Sequence, residues 1–88
     1  MLFMSIFTFP PDKREAVIKR RAEKGAMSRG KILAEWMTIG GGRVFGVVEA
    51  DNPSLMLQAV QAWSDLGQTD LIPIMTLEDA TKAISGNR

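Results

Sequence analysis

Residues 32–51 read ILAEWMTIGGGRVFGVVEAD, two apolar runs joined by Gly40, Gly41 and Gly42. Runs rich in Ile, Val, Phe and Trp on either side of a glycine turn predict a β-hairpin, with strands over about residues 32–39 and 43–50. The glycines resemble a phosphate-binding loop only in composition. Such a loop follows a strand and opens a helix, whereas this one separates two strands.

Upstream, residues 2–9 (LFMSIFTF) are short, rich in Phe and Ile, and closed by Pro10-Pro11, which predicts a strand. Asp12 followed by Glu15 has the spacing of a capping box, and Gly25 is a natural helix stop, so a helix is expected over residues 13–24. Downstream, Asp51 or Asn52 can cap a helix whose first position is Pro53, where the missing N–H costs nothing. At 100° per residue Leu55, Met56, Ala59, Val60, Ala62, Trp63 and Leu66 gather on one side, and Gly67 ends the helix. Residues 71–75 (LIPIM) predict a fourth strand, placed at a sheet edge by Pro73. Thr76 can cap a short last helix with Leu77, Ala80 and Ile84 turned inward, before the polar tail 86–88.

The order is β-α-β-β-α-β plus a terminal helix in a single domain spanning residues 1–88. That is an α+β, ferredoxin-like arrangement, with two helices on one face of an antiparallel sheet. A sheet wetted on its second face should alternate apolar and polar residues. Here Leu2, Met4 and Ile6 oppose Phe3, Phe7 and Phe9, and Val44 and Val48 oppose Phe45 and Val47, so both faces are apolar. The economical cover is a second copy, giving a homodimer through sheet-to-sheet packing. At 88 residues the chain buries only about 60% of its unfolded surface alone, and a partner subunit helps.

The chain as a whole resembles the dimeric α+β barrel superfamily, which includes muconolactone isomerases and cofactor-independent antibiotic-biosynthesis monooxygenases. The run WMTIGGGRVF from Trp36, then VVEAD, then Trp63-Ser64-Asp65-Leu66 and Ile72-Pro73-Ile74, is similar to an uncharacterised family of short bacterial and archaeal domains. The resemblance implies a fold and a dimer. It carries over no catalytic residue.

Composition removes several chemistries. Cysteine, histidine and tyrosine are all absent, which excludes thiol nucleophiles, zinc–thiolate sites, the Ser-His-Asp mechanism and the usual near-neutral base. No cofactor or metal site is expected. Residues 1–9 are apolar but too short to span a bilayer and lack a cationic start, so the reading is cytoplasmic with no membrane partner. Residues 1–44 carry nine Lys/Arg and four Asp/Glu, residues 45–88 two and six. The asymmetry fits a basic solvated helix face beside acidic elements, or else a surface for polyanions.

Six residues stand out as site candidates. Trp36 and Trp63 either pack the core or line a ligand cavity between sheet and helices. Glu35 and Glu49 lie in paired apolar strands, where a carboxylate needs a cation or a raised pKa, and either could serve as a catalytic base. A three-residue glycine loop would place both on one face; a two-residue loop would place Glu49 with Trp36. Arg14 and Arg21 fall between Val17 and Ile18 on the helix side that should be buried, whereas Lys19, Arg20 and Glu23 fall outside. Those two arginines either snorkel along the helix or reach an anion.

Three functions follow as expectations. The first is a homodimer binding a small apolar or anionic organic molecule between sheet and helices, through Trp36, Trp63 and Arg21. The second is a cofactor-independent isomerase or monooxygenase using Glu49 or Glu35. The third is an RNA-binding module, because RVFGVV from Arg43 and LFMS from Leu2 partly match the signatures of RNA-recognition motifs. Val47 and Ala50 stand where that motif wants aromatics and Glu49 adds negative charge, so nucleic acid is not the expected partner.

Overall fold

The computed structural model describes residues 1–25 and 30–86. The loop expected just before Gly30 and the last residues of the tail lie outside them. Four strands form one antiparallel sheet: β1 (Leu2–Thr8), β2 (Lys31–Met37), β3 (Arg43–Glu49) and β4 (Gln68–Ile74), in the order β2-β3-β1-β4. Three helices accompany them, α1 (Arg14–Lys24), α2 (Pro53–Ala62) and α3 (Leu77–Gly86), and a single 3₁₀ turn (Pro11–Lys13) precedes α1. This is an α+β fold.

Local chemistry sets most boundaries. Asn52 caps α2, its side-chain oxygen accepting from the Ser54 N–H at 2.8 Å, with Pro53 at the first helical position. Thr76 caps α3 in the same way, accepting from the Asp79 N–H at 3.0 Å. The capping box expected at Asp12 is not made: the tandem prolines favour a 3₁₀ turn that takes in Asp12, and α1 starts at Arg14 with no side-chain cap. Helix α2 ends at Ala62, five residues before Gly67. Gly67 instead marks a close approach, since a Cβ there would collide with the Thr8 carbonyl oxygen and meet the Phe7 ring at 2.9 Å.

The register separates the two faces of the sheet. Phe3, Ser5 and Phe7 of β1 pair with Val48, Gly46 and Val44 of β3, and on the other side with Pro73, Leu71 and Thr69 of β4. This face meets α1 and α2. Phe7, Phe9, Val17, Trp63 and Leu66 form one buried cluster, and Val48, Ala50 and Met56, backed by Phe3, Ile32 and Leu71, form another. Each large side chain so buried stabilises the fold by about 1.5–3 kcal/mol.

The opposite face carries Leu2, Met4, Ile6, Phe45, Val47, Trp36, Ile72 and Ile74, and none of these is buried. It is an apolar face open to solvent in the protomer. Helix α3 departs from expectation. Leu77 is 83% and Ile84 69% exposed, and no residue of the helix is buried. Among the described residues its apolar stripe finds no core to enter, because the side of the sheet facing inward is already filled by α1 and α2.

Candidate functional site

A trough of about 450 Å³ opens between α1 and the free edge of the sheet, lined by Val17, Ile18, Arg21 and Ala22 from the helix and Glu35, Trp36, Met37 and Val44 from the hairpin. On α1 the spacing 17, 18, 21, 22 places these side chains on one stripe, so the apolar positions and Arg21 face the sheet together. The Arg21 guanidinium donates from Nη2 to Glu35 Oε1 at 2.8 Å. Arg21 therefore reaches an anion supplied by the protein itself. Glu35 gains the cation that a carboxylate in an apolar strand requires.

Glu35 owes its direction to two irregularities in the hairpin. The first is the turn: the Thr38 N–H donates to the Arg43 carbonyl at 3.1 Å and the Gly41 N–H to Thr38 at 2.9 Å, leaving four residues, 39–42, in the loop. An even loop has the same parity as a two-residue one, so Glu35 pairs with Gly46 on the helix side, whereas Trp36 pairs with Phe45 on the other. Glu49 falls on the Trp36 face, away from Glu35. The second is a bulge between Ile32 and Ala34. It lets Ile32 enter the core and Glu35, three residues on, face the same way, which a regular strand forbids.

Glycine is needed at Gly41, where φ is +68° and a Cβ would lie 2.9 Å from the Arg14 guanidinium carbon. Arg14 thus rests on the hairpin tip while Arg21, two turns along, holds its stem. The two arginines on the inward side of α1 both serve the hairpin.

Trp63 belongs to a different environment. It is 5% exposed, its ring meets Phe7 edge-on with centroids 5.8 Å apart, and the narrow cleft beside it has a volume of about 20 Å³, enough for one water molecule at most. Trp36 is 57% exposed on the edge strand. Arg21 and Glu35 meet in the trough, and Trp36 borders it from the other face of the edge strand; Trp63 lies in the core and Glu49 on the far face.

Arg20, expected outside the packed side of α1, is instead a strap between the helices. Its guanidinium donates twice to the Asp65 carboxylate, at 2.7 Å each, and once to the Ala62 carbonyl at 3.1 Å, and it lies 5.4 Å from the Trp63 ring. The paired hydrogen bonds hold the Asp65 carboxyl below its ordinary value and raise the Arg20 guanidinium further. A helical wheel cannot show this contact. The guanidinium extends well past its own face, and Asp65 sits on a turn whose position depends on where α2 ends.

Residues 1–88 match the family model described as a domain of unknown function (DUF3303). The chain belongs to that family. Comparison with curated proteins and with solved structures gives no match. DUF3303 membership brings no activity with it. Among the described residues no three acidic side chains gather to hold a metal ion, and no helix is long and apolar enough to cross a membrane. What this DUF3303 chain offers is an apolar channel with one charged pair on its wall. Any proton transfer in the trough would fall to Glu35, since Glu49 faces elsewhere.

Proposed function

We propose that this protein is a homodimeric, ferredoxin-like domain of the dimeric α+β barrel kind that binds a small apolar molecule with an anionic end in the trough between α1 and β2. The observation that carries the reading is the Arg21–Glu35 pair set in an apolar channel. The channel's volume of about 450 Å³ falls within the roughly 300–1,000 Å³ typical of ligand pockets. A guanidinium has five N–H donors, and one of them holds Glu35; the Arg21 side chain is 43% exposed and can meet a carboxylate or sulfonate. Val17, Ile18, Ala22, Met37 and Val44 supply the apolar walls. The dimer draws its support from the open sheet face, where Met4, Ile6, Phe45 and Val47 lie side by side with no helix over them.

The test uses 8-anilino-1-naphthalenesulfonate, an apolar ring system with one anionic group, titrated against the full chain and followed by fluorescence. One probe molecule per protomer is expected. Ile18→Asp should weaken binding at least tenfold. Arg21→Gln should weaken the sulfonate probe while leaving uncharged N-phenyl-1-naphthylamine nearly unaffected. Equal affinity for the sulfonate in all three proteins would reject the trough as the site.

A further inference from the structure

The large apolar side chains left exposed fall largely into two groups at opposite edges of the sheet. Ile18, Leu33, Trp36, Met37 and Ile39 lie along α1 and the β2 edge; Ile72, Met75, Leu77 and Ile84 lie along β4 and α3. The two edges also differ in charge. Apart from Arg20 and Arg21, which Asp65 and Glu35 neutralise, α1 carries Arg14, Lys19 and Lys24 against Glu15 and Glu23, whereas β4 and α3 carry Asp70, Glu78 and Asp79 against Lys82. The molecule therefore presents two different surfaces, apolar alike and opposite in sign.

Helix α3 cannot be explained within one protomer. Ten residues without a buried side chain make a marginal helix in water. The chain's radius of gyration is 14.9 Å, against about 12 Å for a compact chain of this length. The protomer is extended, and α3 is its unpacked part.

We infer that α3 of each protomer packs its Leu77–Ala80–Ile84 stripe along the α1–β2 edge of a second copy and forms the outer wall of that copy's trough. The inference rests on the sheet-to-sheet dimer proposed above. Stacked sheets related by a two-fold axis parallel to the strands set β4 and α3 of one protomer against β2 and α1 of the other, acidic edge on basic edge.

Area points the same way. A face of four seven-residue strands measures about 23 by 19 Å, so two stacked faces bury on the order of 900 Å², below the roughly 1,200–2,000 Å² of stable complexes. Two helical arms, each about 15 Å long and ~10 Å wide, raise the total to about 1,500 Å². On this footprint the two arms enlarge the contact by about two-thirds.

The chain has no cysteine, so introduced thiols report without interference. Leu33→Cys and Ile84→Cys chains, mixed in equal amounts and treated with a short bis-maleimide, should give a cross-linked dimer that neither chain gives alone. The double variant should give a closed dimer. Cross-linking only of like with like, or a ladder of higher oligomers from the double variant, would overturn the arrangement. In parallel, Leu77→Glu with Ile84→Glu changes only exposed positions and should raise the dimer dissociation constant at least tenfold by sedimentation; an unchanged constant would refute the arm. A parent chain that sediments as a monomer would remove the dimer itself, a different failure from a dimer indifferent to α3.

Discussion

Replacing Trp63 by phenylalanine tests whether the second tryptophan belongs to the core and not to the trough. Trp63 is 5% exposed and contacts Phe7 edge-on at 5.8 Å, and a phenyl ring retains that contact. What it loses is volume. The smaller ring leaves a void of roughly 40 Å³, which at about 24 cal/mol per Å³ costs ~1 kcal/mol. For a domain of this size that lowers the melting temperature by about 4–8 °C. Trp63→Ala removes the whole ring at about 3–5 kcal/mol, a large share of the roughly 4–13 kcal/mol such a chain has in total. The assay is thermal unfolding by far-ultraviolet circular dichroism at fixed protein concentration. Trp36→Phe provides the companion reporter, because it leaves Trp63 as the only indole in a chain without tyrosine. Its emission should be blue-shifted and resist acrylamide. A Trp63→Phe protein as stable as the parent, or a red-shifted and easily quenched Trp63, would refute the packing argument.

Three further outcomes are expected. Hydrogen bonding to Arg20 lowers the Asp65 pKa in the folded chain below its ordinary 3.8, so the pair's contribution is present above that value and is lost as pH falls through the lowered one. Melting temperatures between about pH 5 and pH 2 should therefore fall less steeply in Asp65→Asn than in the parent, and parallel curves would show that the strap adds nothing. Gly67→Ala should destabilise by about 1–3 kcal/mol through overpacking against Phe7 and the Thr8 carbonyl; denaturant unfolding within error of the parent would mean that this approach relaxes freely. Asn52→Ala should cost about 1 kcal/mol by removing the α2 cap, and Asn52→Asp should restore most of it, whereas equal losses in both would point to another role.

Much of the architecture could be read from particular residues because local chemistry decides it. Pro10-Pro11 ends β1, Asn52-Pro53 starts α2, and Pro73 lies in an edge strand, each through a backbone constraint that acts wherever the chain goes. The split of β1 into Leu2, Met4 and Ile6 against Phe3 and Phe7 follows from a period of two. The site was legible only in part. Glu35, Arg21 and Trp36 carried signals as a carboxylate in an apolar strand, an arginine on an inward face and an indole in a hairpin. Which of them meet depends on a four-residue loop and a bulge, and neither has a unique sequence signature. Arg20 and α3 misled the wheel for opposite reasons. A long side chain found a partner beyond its own face, and an amphipathic stripe stayed exposed among the described residues.

The bulge in β2 has a consequence beyond turning Glu35 inward. A free strand edge is a template for another chain, and an interruption at Leu33 spoils its spacing of donors and acceptors midway along. On the far side of the sheet Pro73 withholds an N–H from any incoming strand. Both borders are thus poor at strand addition, although the strands between them are apolar enough to invite it. Growth by edge-to-edge pairing, the route to fibrils, is discouraged at either end. Any association is left to side chains, whose shapes and charges can discriminate between partners.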